Sequence, residues 1–329
     1  MDVLADVLSV TRMGATVIAQ AELVPPWGLE VDPIAEAHVH VVQRGTCWLR
    51  TSVERQHVHL GAGDVVLIRG GVGHSICDNP KTRPAPYKKV LNAMPHRLAS
   101  LPKSRAHETT VVLCAKYLFQ HVGPHPLTSL LPPLIHLRAH EAERHVQLQL
   151  LLQLLRHEAI DAGCGTELVV PRLVDSLLVF VVRAWLEGQP VGAGGWFGAL
   201  RDPAIAKALS LIHGQPQSSW SVEGLARQVA QSRATFARRF AELVGETPAA
   251  YLTRWRMCLA TKLLCETDVS LDEVASRVGY ETAPAFSKAF RRSHGSAPGR
   301  FRSLAREELE ARAATSAPVA RSMRRTDKT

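Results

Sequence analysis

A segment of about thirty residues occurs twice near the C-terminus of this chain, and few folds can accommodate such a pair. The first copy runs SVEGLARQVAQSRATFARRFAELVGETPAAYL from Ser221; the second runs SLDEVASRVGYETAPAFSKAFRRSHGSAPGRF from Ser270. Each opens on a serine suited to cap a helix, followed in the first turn by Glu223 or Asp272, where the helix dipole favours an acid. Leu225-Ala226 and Val274-Ala275 then pair an apolar residue with a small one, so that a second helix can approach closely. Gly279 is expected to supply the turn of the second copy, and Gln231-Ser232 that of the first, with Ser232 as an N-cap. The second helices are predicted to begin near Arg233 and Thr282. Phe236 and Phe240, and Phe286 and Phe290, are four apart and therefore share a face. The pattern predicts an all-α region built from two helix-turn-helix units.

The opposite faces carry Arg233, Thr235, Arg238 and Arg239 in one copy, and Thr282, Ser287, Lys288, Arg291 and Arg292 in the other. A helix offering Arg, Lys, Ser and Thr from its N-terminal half has the donors that major-groove reading needs. Residues 220–302 hold thirteen Lys and Arg against eight Asp and Glu. The whole chain carries a formal charge of +9 with a pI near 9.5. Such a charge favours polyanions but by itself fits a solvated basic surface on a helical interaction domain equally well.

The repeat resembles the AraC-type DNA-binding domain. The likeness spans about 100 residues and includes Tyr251-Leu252, Arg254, Arg256-Met257, Ala260, Leu263-Leu264 and the ending GYETAPAFSKAFRRSHGSAPGRFR. It implies two units joined by a long helix around Ala250 to Cys265 and entering successive major grooves on one face of double-stranded DNA. It also implies base-reading positions at Arg233, Ala234, Ala237 and Arg238 and at Thr282, Ala283, Pro284 and Lys288, with Thr235 and Ser287 beside them. Ala234 and Ala237 are short and Pro284 lacks a donor, so direct readout is expected to lean on Arg233, Arg238 and Lys288, with alanine methyls against thymine. The same resemblance implies a cytoplasmic transcription regulator, such as an activator, with RNA polymerase among its partners.

Upstream the texture changes twice. Residues 1 to about 138 show short alternating apolar runs, among them HVHVVQRG from His38, CWLRTSV from Cys47 and DVVLIRGG from Asp64, which predict an all-β domain. Thr82 to Pro86 and His121 to Pro126 read as loops. Residues from about 141 to 187 predict a helical hairpin: Leu148, Leu151, Leu152 and Leu155 recur at helical spacing, Gly163 and Gly165 interrupt, and Pro171 suits a first helical position. Its wide apolar face needs a partner, either the β-domain or the same face of a second copy in a homodimer. Gly188 to Gly195 reads as a flexible linker within 188–201. The expected organisation is therefore residues 1–187, a linker at 188–201, the helix-turn-helix region at 202–302, and a basic, disordered tail at 303–329.

GAGDVVLIRGGVGHSICD from Gly61 resembles the second motif of cupins, and His38-Val39-His40 followed by Gly45 resembles the first. The usual glutamate after the second histidine is missing, and Arg69 stands where a proline is usual. LTSLLPPLIHL from Leu127 fits the end of a cupin-like sensor domain found in one AraC-type subgroup. The resemblance implies a cupin-like barrel over 1–187 that senses a small-molecule effector or another signal. His38 and His40 fall on one face of a strand. Together with His74, Cys47 and Cys114 they form the candidate effector or metal set; zinc or another late first-row metal suits such donors. The missing glutamate favours an organic effector in a barrel-mouth pocket. A cupin-type metal enzyme fused to a DNA-binding domain, a redox sensor, and a ligand-free dimerisation module are the competing readings. No membrane partner is expected, because the most apolar stretch, Leu173 to Leu186, is interrupted by Asp175, Ser176 and Arg183.

Overall fold

Alternating apolar runs separated by glycine-rich turns become strands in the first part of the chain. A computed structural model describes residues 3–9, 13–14, 18–34, 36–54, 56–87, 89, 109–119, 131–160, 163–189 and 196–316. The chain divides into two compact units, Val7–Arg201 and Asp202–Thr329, the latter together with Met1–Asp6.

The chain opens on a helix, α1 (Val3–Ser9), where strand texture was expected. Val3, Leu4 and Val7 are buried at a helical, not alternating, spacing. Among the described residues eleven strands follow: β1 (Met13–Gly14), β2 (Ile18–Leu23), β3 (Gly28–Val31), β4 (Ala37–Arg44), β5 (Cys47–Thr51), β6 (Val58–Leu60), β7 (Val65–Ile68), β8 (His74–Cys77), β9 (Ala85–Pro86), β10 (Thr110–Phe119) and β11 (Leu134–Leu137). One sheet has the order β1-β10-β4-β7-β11, with β2 also on β10; the other runs β6-β5-β8-β3-β9. Most of the Thr82–Pro86 loop is as expected, but Ala85–Pro86 pairs with β3. His121 to Pro126 lies outside the described residues.

Both sheets send side chains into one apolar core, including Leu23, Leu29, Val42, Leu49, Ile68, Ile76 and Val112. Period two places His38 and His40 on the Val42 side of β4, facing that core. Val39 and Val41 point the other way and are buried as well. Helices cover that outer face: α2 (Ala139–Ala142), α3 (Val146–Ile160) and α4 (Thr166–Gly188). The Tyr117 hydroxyl, on β10, donates to the Val174 carbonyl of α4 at 2.8 Å.

Two expectations for this hairpin change. The second helix starts at Thr166, five residues before Pro171, because Gly165 adopts a left-handed φ of 85° and its carbonyl accepts from Leu168 and Val169. Pro171 therefore sits inside the helix, at the cost of one backbone bond. Leu148, Leu151 and Leu155 are buried within the unit, and so cannot form a seam with a second copy. The exposed apolar residues of α3 are instead Val146, Leu150 and Leu154, at 63%, 56% and 54%. They recur every four residues and form their own stripe.

Residues 190–195 of the expected linker lie outside the described residues. Beyond them α5 (Trp196–Ala199) is a helical turn within the region assigned to linker, anchored by buried Trp196 and Ala199. The second unit contains α6 (Pro203–Gly214), α7 (Val222–Gln228), α8 (Arg233–Val244), α9 (Pro248–Glu266), α10 (Leu271–Arg277), α11 (Ala283–His294) and α12 (Pro298–Ser316). Asp202, Ser221, Ser232, Thr247, Ser270 and Thr282 each cap a helix with a side-chain oxygen. Phe236, Phe240, Phe286 and Phe290 are fully buried, each contributing about 1.5–3 kcal/mol. The tail expected to be disordered from 303 is helical to Ser316, since EELEARAA is rich in strong helix formers; the remainder of it is outside the described residues. Among the described residues no helix is long and apolar enough to cross a membrane.

Candidate nucleic-acid interface and barrel cavity

The two helix-turn-helix units share one turn geometry. A left-handed residue follows the first helix in each: Ala230 with φ 53°, and Gly279 with φ 77°. The first turn thus rests on Ala230, ahead of the Gln231-Ser232 pair expected to make it, although an alanine in this conformation costs about 1–2 kcal/mol. Equivalent bonds close both turns, Gln231 N–H to the Ala226 carbonyl at 3.0 Å and Tyr280 N–H to the Ala275 carbonyl at 2.8 Å. Gly279 is needed for space as well, because a Cβ there would lie 2.5 Å from Arg256 Nη2. The Arg256 guanidinium, on α9, donates to the carbonyls of Pro216 at 2.8 Å and Ser218 at 2.9 Å and lies over the Tyr280 ring. It therefore fixes the second turn against the loop before α7, a role not evident from the sequence.

The second turn holds one more residue than the first. Thr282 is therefore the cap of α11 and not its first residue; its hydroxyl accepts from Ala285 N–H at 3.3 Å. The expected start shifts to Ala283, and the structural equivalents become Arg233 and Ala283, Ala234 and Pro284, Ala237 and Ser287, Arg238 and Lys288. Thr235 accepts from the Ser232 hydroxyl at 2.9 Å beside the first cap. Arg233, Ala234, Thr235, Arg238, Thr282, Pro284 and Lys288 are exposed, while Ala237, Ala283 and Ser287 are half-buried. Among the described residues Arg238 pairs with Glu242 on its own helix, at 3.5 Å with both side chains mostly exposed, a contact of about 0.3–0.5 kcal/mol that a phosphate or base can displace. Arg239 differs: its Nε donates to Asp202 Oδ2 at 2.6 Å, tying α8 to the cap of α6.

The barrel gathers most of the other predicted set. His40, on β4, lies across the core from His74, the first residue of β8 in the opposite sheet, with Nε2 to Nε2 at 2.9 Å. Its Nδ1 lies 3.1 Å from Cys114 Sγ on β10. His38 rings the same space, 5.1 Å from His74 and 6.2 Å from His40 between ring centroids. Burial pushes the three imidazoles down, His38 to about 4, His74 to about 3 and His40 well below its ordinary range. All three are neutral at physiological pH. Burial also pushes the Cys114 and Cys47 thiols up to about 12, which leaves neither as a reactive thiolate. Cys47 lies in the apolar core and, like His74, does not line the cavity that His38 and His40 border.

That cavity has a volume of about 110 Å³; Leu29, Ile76 and Tyr87 form apolar wall, and His38, His40 and Cys114 supply polar atoms. The donors do not fit a cupin-type metal centre. Among the described residues no group of three or more His, Cys, Asp or Glu side chains is disposed to hold a metal ion. His40 and His74 instead use their nitrogens on each other.

Residues 2–187 match the cupin family, and residues 225–303 match a helix-turn-helix domain family. An AraC-like transcription regulator of Streptomyces lividans is 30% identical over 302 residues, 92% of this chain and 98% of the relative. The transcriptional regulator AlkR of Acinetobacter baylyi is 30% identical over 73% of this chain and 79% of its own length. The DNA-binding domain of AdpA, solved with a target DNA, is 35% identical and covers 33% of this chain and 97% of the solved one, with a TM-score of 0.31. The full-length likeness and the two matched domains together make this chain a member of the AraC-like transcription regulators, with an N-terminal cupin domain and a C-terminal DNA-binding helix-turn-helix domain.

Proposed function

We propose that α8 and α11 are the two recognition helices and that Arg238 and Lys288 are their principal base-reading residues. The observation that carries this reading is their equivalence: each is an exposed cation at the same step from its N-cap, Ser232 or Thr282. Arg233, at the start of α8, adds a further donor, and Ala234, Ala237, Ala283 and Pro284 offer apolar contact. Thr235 and Ser287 lie within the two helices beside these positions and Thr282 caps the second, the cap hydroxyls being engaged by backbone. Arginine pairs bidentately with guanine, whereas lysine places a single charge. Arg238→Ala is expected to weaken binding to the preferred site by about 1–3 kcal/mol and to relax preference at one base position, measured by titration against a set of singly substituted duplexes. Equal loss on every duplex would reduce Arg238 to a phosphate contact.

The regulatory reading follows from the other unit. A small-molecule effector occupies the histidine-bordered cavity, and two copies associate through the Val146, Leu150 and Leu154 stripe, presenting paired DNA-binding units in the cytoplasm. The promoter-bound dimer then acts on RNA polymerase. The apolar cavity and the uncovered stripe support this reading.

A further inference from the structure

The sheet β6-β5-β8-β3-β9 carries a groove on the side that faces away from the core. Leu29, Leu49 and Ile76 point into the core, so their neighbours Glu30, Arg50 and Ser75 point outward from β3, β5 and β8. The registers set these three in one row, with Ser75 opposite Arg50 on one side and opposite Glu30 on the other. All three line a groove of about 460 Å³, against about 110 Å³ for the cavity inside the barrel. That volume falls within the range of small-molecule sites. Pro33, Pro80 and Pro84 give the groove stiff apolar walls, and Asp32, just past β3, adds a second carboxylate.

Arg50, Glu30 and Asp32 are exposed. Among the described residues, no hydrogen bond or ion pair engages the side chains of Arg50, Ser75, Glu30 or Asp32. A cation and two carboxylates thus share one groove without neutralising one another. The backbones of Arg50 and Glu30 are two strand spacings apart, about 10 Å, with a hydroxyl between them. A simple anion would meet Arg50 but be repelled by Glu30 and Asp32, and a simple cation would meet the reverse. A ligand carrying both charges satisfies both ends. The planar guanidinium matches a carboxylate bidentately, while Glu30 and Asp32 accept from an ammonium. The span calls for a compact molecule: a dipeptide covers roughly 7 Å along its chain, and an amino acid less.

We infer that this groove binds a small zwitterion with a free ammonium and a free carboxylate, an amino acid or a dipeptide, its carboxylate on Arg50 and its ammonium on Glu30 and Asp32. The site is separate from the histidine-bordered cavity and does not depend on what that cavity holds.

The full chain is titrated with each of the common L-amino acids and with alanylalanine and leucylleucine, with the unfolding temperature and calorimetric heat as readouts. At least one of these is expected to bind saturably, and the size of the responder separates free amino acids from dipeptides as the source. Acetylating its amine or converting its carboxylate to the amide is expected to weaken binding roughly ten- to hundredfold. Arg50→Gln and Glu30→Gln are each expected to cost a similar factor while leaving the unfolding temperature of the free protein unchanged, because both side chains are exposed. Undiminished binding of the acetylated form overturns the zwitterion and leaves an anion site. Binding that survives both substitutions places the ligand outside the groove and overturns the assignment. Silence of every probe overturns it outright. In each of these cases the effector reading of the inner cavity stands.

Discussion

Lysines at Leu151 and Leu155 are expected to unfold the N-terminal unit, whereas lysines at Leu150 and Leu154 should leave it folded and separate the two copies. Leu151 and Leu155 are buried in the helical layer, while Leu150 and Leu154 face outward on the same helix. Losing a buried leucine costs about 2–5 kcal/mol, and an unpaired buried ammonium adds several more. Two such changes exceed what a typical domain can absorb. The outward pair carries no such penalty, and the new charges instead repel across a two-fold axis. Mass in solution and far-ultraviolet dichroism separate the outcomes. The monomeric variant is also expected to lose about a hundredfold in affinity for paired half-sites, with single-site affinity unchanged. A Leu150→Lys, Leu154→Lys protein that stays dimeric would move the interface elsewhere.

Acid is expected to destabilise the barrel well before carboxylates titrate. His38, His40 and His74 have folded-state pKa values below the ordinary 6.5, chiefly through burial, and neighbouring histidines lower His40 and His74 further. Lys116 pushes His38 down further and Glu36 partly opposes it. The unfolded chain therefore takes up protons that the folded barrel refuses. Stability is fully present above pH 6.5 and is lost as pH falls from there toward about 4 for His38 and about 3 for His74. At pH 5 His38 and His74 each cost roughly 2 kcal/mol. Urea midpoints at pH 7.5 and pH 5.0 measure this, and His74→Gln should flatten the difference by about one such step. Equal midpoints at both pH values would mean that the imidazoles are protonated or solvated in the folded barrel.

The C-terminal unit was legible because its signals are local. Ser221, Ser232 and Ser270 cap helices within three residues of their partners, and phenylalanines four apart define a face without reference to the rest of the chain. The one-residue difference between the two turns lies between two sequence markers: aligning the opening serines puts Ala234 opposite Ala283, whereas aligning Phe236 with Phe286 puts Arg233 there. The left-handed residue and the cap bond place the extra residue within the turn. Helix α3 shows the opposite limit: leucines at 148, 150, 151, 152, 154 and 155 surround it, so periodicity could not tell the buried side from the outward one. In the barrel, period two put His38 and His40 on one face, but the His40–His74 bond joins opposite sheets and depends on long-range packing.

If both recognition helices read one duplex, as proposed, hydroxyl-radical footprinting of the full chain on a selected site should show it. Two protected segments on one face are expected for each bound chain, centred about one helical turn apart, with Arg238→Ala weakening one and Lys288→Ala weakening the other. A single protected segment, sensitive to only one of the two substitutions, would contradict it and leave the second helix-turn-helix unit with a structural role alone.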